Sequence, residues 1–121
     1  MSGSDTPVVP ARVRAVVICL YDTVSGRLVV VQDVADRGDR TRIVRRLGSM
    51  PFVARHDRPC RSDLGPTVEV VLRGDTEQRF LVETYGCHSA WLLDGSGGGA
   101  EYQASTRLAD LLLRLAASPQ Q

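Results

Sequence analysis

The sequence predicts an α+β fold: an antiparallel sheet of four to five strands with two helices packed on one face, in the order ββαβββα. Three observations predict it. Val- and Ile-rich stretches come in consecutive pairs separated by short polar turns, which favours hairpins over parallel crossovers. Two other segments repeat their apolar residues every three to four positions, the helical period. The chain has 121 residues, the size of one domain, and is 43% hydrophobic, enough to bury a core. The expected division is a flexible lead over 1–11, one domain over 12–118 and a short tail over 119–121.

The lead holds Ser, Thr, Pro and Gly and reads as mobile. "RVRAVVICLYD" (12–22) and "GRLVVVQDV" (26–34) flank "DTVSG" and form a first hairpin. Polarity alternates only at the start of the first strand, which predicts burial on both faces. "GDRTRIVRRLGSMP" (38–51) places Ile43, Val44 and Leu47 at helical spacing, with Asp39 as the candidate cap and Gly48 and Pro51 as stops. Five arginines (Arg37, Arg40, Arg42, Arg45, Arg46) surround that narrow stripe and read as a solvated outer face, with a basic docking face as the alternative. "RHDRPCRSDLGP" (55–66) is a polar loop.

"TVEVVLRGD" (67–75) and "QRFLVETYG" (78–86) make a second hairpin. Val68, Val70 and Leu72 share one face with Phe80, Val82 and Thr84, while Glu69, Arg79, Leu81 and Glu83 take the other. "AWLLDG" and "EYQA" are candidate short strands on either side of the flexible "SGGG". "STRLADLLLRLAAS" (105–118) is the clearest helix, with Leu108, Leu111, Leu112 and Leu115 on one stripe and Ser105 as its cap.

With two Phe, three Tyr and one Trp, the core must be built from Val, Leu and Ile. A net charge of +1 gives no electrostatic case for nucleic acid or an anionic membrane. All 15 basic residues are Arg, a usage typical of a high-GC genome, and they are spread along the sequence rather than gathered in one patch. No apolar run approaches the roughly 20 residues of a bilayer span. The start, "MSGSDTPVVPAR", lacks the apolar core of a signal peptide. Read literally the chain is cytoplasmic, but a chain trimmed of an export segment would begin in the same way.

The chemistry-bearing residues are the cysteines and histidines. "GCHSAW" sets Cys87 beside His88, and "RHDRPCRSD" sets His56 near Cys60. A zinc site could use His56, Cys60, Cys87 and His88, although adjacent Cys87 and His88 in a strand would point to opposite faces. A Cys–His nucleophile needs an orienting group, for which Asp57, Asp63 and Asp94 are available, and an oxyanion site. A Cys60–Cys87 disulfide needs only that the loop before strand three meet the end of strand four. Across that hairpin Thr67 and Tyr85 should be neighbours, which brings Cys60 near Cys87. The bridge would close a loop of about 27 residues and contribute roughly 3–4 kcal/mol. Cys19 then reads as a buried free thiol acting as a small apolar residue.

The mid-strand Cys in "CLYD", the "GRL" second strand, the loop carrying Cys60, the "VEVVLRGD" hairpin, "GCHSAW" and the "LADLLLRL" helix together resemble small secreted and lipoprotein domains of actinobacteria, over about residues 12–116. The resemblance implies an exported domain, which agrees with a disulfide, and no particular activity. The order of early strands, helix, Cys-bearing loop and Cys-terminated hairpin is also similar to the streptomycete subtilisin inhibitor family. There the Cys-bearing loop is the protease-binding loop, and its counterpart runs from Pro59 to Pro66. Arg58, Pro59, Arg61, Ser62, Asp63 and Leu64 are then the candidate contact residues, with Arg61 as the basic anchor. That family's first disulfide and its Cys-Pro motif are not matched.

Two "RGD" triplets, at 37–39 and 73–75, lie where turns are expected and read as turn chemistry. "GSGGG" follows no strand–helix pattern with a Lys, so no phosphate-binding motif is present. The expected function is a non-catalytic, extracytoplasmic binding or interaction domain whose partner the sequence does not identify, a protein being the candidate. No cofactor, nucleic acid or membrane span is expected. The alternative is a serine protease inhibitor, and a Cys/His metal or thiol site is the third reading.

Overall fold

The computed structural model describes residues 7, 9, 10, 12–22, 24–53, 65–93 and 99–117. The elements are β1 (Ala15–Tyr21), β2 (Leu28–Asp33), α1 (Arg37–Gly48), β3 (Thr67–Arg73), β4 (Glu77–Glu83), β5 (Ser89–Leu93), β6 (Gly99–Gln103) and α2 (Thr106–Ala117). The sheet runs β2-β1-β3-β4-β5-β6, and every neighbouring pair is antiparallel. It has six strands, against the four to five expected. Both "AWLLDG" and "EYQA" contribute, as β5 and β6, and they pair from Ser89↔Gln103 to Leu93↔Gly99. The short, mixed-polarity β6 is a strand because it has a partner, not because of its own pattern. Its first residue must be Gly, since a Cβ there would collide with the Leu92 carbonyl.

Register assigns each residue to a face. Ile18↔Val70, Val70↔Phe80 and Phe80↔Leu92 run across one side of the sheet. On that side Val16, Ile18, Val68, Val70, Leu72, Phe80, Val82, Ala90 and Tyr102 are buried with Ile43 and Leu47 of α1 and the leucines of α2. The other side carries Cys19↔Glu69↔Leu81↔Trp91↔Glu101 in one row. β1 is therefore not buried on both faces: Val16 and Ile18 are buried, while Val17, Cys19 and Tyr21 on the open side are half-buried. Its apolar run reflects a central strand whose open face is still partly shielded.

The helices begin and end on side-chain chemistry. Asp36, not Asp39, caps α1, accepting from the Asp39 backbone N–H. Asp39 lies one turn in, at the positive end of the helix dipole, and pairs with Arg42 at 2.9 Å. The "RGD" at 37–39 is thus the first turn of the helix. Ser105 caps α2 as expected, accepting from Leu108 N–H at 3.0 Å. Pro7 and Pro10 are buried, and Val9 packs on the core beside Gly48.

Leu108, Leu111, Leu112 and Leu115 all face the sheet and are buried. Each contributes about 1.5–3 kcal/mol when removed from water, against a total domain stability of about 5–15 kcal/mol. Leu112→Ala should cost about 2–5 kcal/mol, and deletion of 105–121 should abolish cooperative unfolding. Denaturant melts measure both. A truncated chain with an unchanged transition would mean that the stripe does not hold the fold.

Candidate functional site

One end of the sheet gathers the segments the sequence singled out. The β1–β2 turn, residues 65–66 ahead of β3, the 84–88 turn after β4 and the 103–105 link to α2 all meet there. Pro66 is fixed to the 84–88 turn, because its carbonyl accepts from Thr84 Oγ1 at 2.7 Å and from Thr84 N–H. The Tyr85 ring lies where a Cβ on residue 65 would stand, so that position has to be Gly. Thr67 pairs with Glu83 rather than with Tyr85, which reaches back instead to Gly65. The other flank is fixed as well: Val53 N–H bonds the Glu101 carbonyl, Gln103 N–H bonds the Pro51 carbonyl, and Phe52 bridges Tyr102.

His56, Arg58, Pro59, Cys60, Arg61, Ser62, Asp63 and Leu64 lie outside the described residues. Cys87 and His88 lie inside, in a turn rather than a strand, so the alternation expected of adjacent strand residues does not apply. His88 has a left-handed backbone (φ 53°). The turn is tied to β6: Gln103 Nε2 donates to the Cys87 carbonyl at 2.6 Å, and Ala104 N–H donates to the His88 carbonyl at 2.9 Å. Cys87 carries no titratable thiol, whereas Cys19 is free. Among the described residues no group of three or more His, Cys, Asp and Glu converges on one point.

Beside these anchors lies a cleft of about 280 Å³ lined by Leu20, Tyr21, Asp22, Val24, Val29, Gly65 and Pro66. The hairpin around it exposes Val24 (75%), Val29 (59%), Val31 (57%) and Leu28 (51%) to solvent. A bulge between Leu20 and Tyr21 puts Leu28 opposite Tyr21, which brings Leu28 to the same side as Val31. Of these four large apolar side chains, Val24 and Val29 line the cleft and Leu28 and Val31 share the open side of the sheet; exposed apolar surface of this kind marks an interaction surface.

The open side of the sheet is held by charge. Arg79 pairs with Glu69 at 3.3 Å and with Glu77 at 3.0 Å, and Arg73 pairs with Glu77 at 3.3 Å. The hydrogen bond from Arg79 holds the Glu77 carboxyl below the usual range, with Arg73 adding to it. Cys19 sits in this row, and burial, followed by the Glu69 charge, raises its thiol pKa. Tyr21 is raised for the same two reasons and reaches Glu69 at 3.4 Å. At the far end Ser89 Oγ donates to the buried Glu101 at 2.7 Å, a contact that no local sequence pattern announced.

The arginines correct the reading of a scattered distribution. Two grooves flank α1. One, of about 430 Å³, includes Arg12, Arg14, Arg37, Arg40 and Arg45 in its lining. The other, of about 460 Å³ and shared with α2, is lined by Arg42, Arg46, Arg107, Asp110, Leu111 and Arg114. Nine of the 15 arginines thus share one layer of the molecule. Only packing, which brings 12–14 and 107–114 against α1, assembles the patch.

A thiol with a raised pKa resists alkylation. Folded Cys19 should therefore react with iodoacetamide more slowly than a free cysteine at neutral pH and reach the ordinary rate on unfolding. Its neutral form should support the fold below the ordinary thiol range, and that support should be lost as pH rises through the raised value. A folded-state rate equal to that of the unfolded chain would contradict the shielding.

Comparison with known protein families, with characterised proteins and with solved structures finds no match in any of the three.

Proposed function

We propose that this chain is a non-catalytic, extracytoplasmic domain that binds a protein partner through the apolar β1–β2 hairpin and the adjoining segment 54–64. One observation carries the reading: Val24, Leu28, Val29 and Val31 are all exposed on one hairpin, and Val24 and Val29 line a cleft whose far wall is Gly65 and Pro66, where that segment ends. A solvated edge strand normally carries charge or Pro to discourage pairing. Here the strand reads Leu28-Val-Val-Val31, and its first charge is Asp33.

A Cys60–Cys87 disulfide belongs to the same proposal. Cys19 is accounted for as a free thiol, Cys87 carries no titratable thiol, and Cys60 is the third cysteine. A structural disulfide fits an oxidising compartment. The protease-inhibitor reading is favoured by a different observation, the fixing of both flanks of 54–64 at Val53 and Pro66. Such restraint lowers the ordering cost of a binding loop, and Arg61 would then meet a trypsin-like pocket through a charge-assisted contact.

Alkylation of the unfolded, unreduced chain should label one thiol, and reductant should expose two more. Three labels without reductant would remove the disulfide and with it the case for an exported domain. Val29→Glu with Val31→Glu should leave stability within about 0.5 kcal/mol, as is usual for surface sites. The same pair should abolish retention of any protein that the immobilised wild type holds from an extract of its own cells. Equal retention by the variant would reject the hairpin as the binding surface. Inhibition of trypsin at micromolar protein, lost in Arg61→Ala, would select the inhibitor reading; cleavage after Arg61 without inhibition would dismiss it.

A further inference from the structure

We infer that the arginine-lined layer around α1 is a second binding surface, and that its ligand is an acidic peptide segment laid across the helix. The inference is independent of the hairpin, which lies at the β1–β2 end of the sheet. It begins with placement. Arg37 is the first residue of α1, and Arg107 is the second of α2, directly after the Ser105 cap and Thr106. The positive end of a helix dipole disfavours a cation, so both arginines stand where the helices alone would select against them. Residues that break a local rule without a structural return are the ones expected to serve a function.

The structural return is absent for several of them. Arg42 pairs with Asp39, Arg40 holds the Val34 and Ala35 carbonyls, and Arg14 holds the Gly74 carbonyl. Arg37, Arg45, Arg46 and Arg107 make no ion pair among the described residues. Arg45 and Arg46 suit the last turn of α1 electrostatically, but Arg37 and Arg107 have no such account. Each groove contains one of these two misplaced cations.

The chemistry of the lining selects the ligand. Guanidinium groups bind carboxylate and phosphate through paired N–H donors. Neither groove is lined by an aromatic ring or a side-chain amide that could stack on or read a base. Asp110 lines one groove, and Asp39 stands beside Arg42. These carboxylates repel a dianionic phosphate more strongly than a single carboxylate. Val13 and Val44, which are only partly buried, offer apolar surface in one groove to the stems of Asp and Glu side chains. Two grooves separated by the width of one helix suit a chain that presents carboxylates at intervals.

The test is fluorescence anisotropy of a labelled peptide of alternating Glu and Ala, with a short duplex DNA of matched charge as competitor. Arg37→Glu with Arg107→Glu is the informative variant. Placing acids at two helix N-termini favours both helices, so lost binding cannot be blamed on unfolding, and the melting temperature should hold or rise. Wild type should bind the peptide at low salt, weaken as salt rises and prefer it to the duplex. The variant should bind the peptide at least about tenfold more weakly. Absence of binding at low salt, or undiminished binding by the variant, would overturn the inference. Tighter binding of the duplex than of the peptide would overturn the choice of ligand.

Discussion

The packing of the α2 leucine stripe against one side of the sheet is the constraint on which the rest of the structure depends. Leu108, Leu111, Leu112 and Leu115 can be buried only if the sheet presents a matching apolar face. β1, β3 and β4 supply it through Ile18, Val70, Phe80 and their neighbours in register. A one-residue slip in any pair would turn that strand's core set to solvent. Once both helices lie on this side, everything else follows from what remains uncovered. The open side must satisfy itself, which it does with the Glu69, Arg79, Glu77 and Arg73 ion pairs over a half-buried row. The outer helix surfaces must carry charge, and there the arginines collect.

The same constraint explains which parts were legible in the sequence. The α2 stripe and its Ser105 cap are local patterns, set within one element, and are legible there. The β3–β4 hairpin is legible because Val68, Val70, Leu72, Phe80 and Val82 alternate with Glu69, Arg79 and Glu83, even though Val71 and Leu81 break the pattern on the open side. The first cap is less legible, because both Asp36 and Asp39 precede the stripe and only the backbone at Asp36 leaves the helix. β6 is only weakly legible, because Glu101 and Gln103 give it no strand signature and pairing with β5 makes it a strand.

The candidate sites were less legible, for a physical reason. A cysteine can be found by inspection, but an exposed apolar patch is a statement about what does not cover it. Val29 and Val31 look like core residues in "RLVVVQD"; their exposure depends on β2 being an edge strand with no neighbour beyond it among the described residues. The basic layer is likewise invisible in a net charge of +1, because the 14 acidic residues offset the 15 arginines in the sum wherever each lies in the fold.

We propose two working surfaces on this domain, an apolar hairpin for a protein partner and a basic helix layer for an acidic segment. Hydrogen exchange read by mass spectrometry, on the domain alone and with the protein partner it retains, tests this most directly. Slowed exchange over 20–31 and 65–66, with α2 unchanged and already the most protected element, is the predicted result. Slowing confined to the Glu69–Arg79 side of the sheet, with the β1–β2 hairpin unaffected, would contradict it.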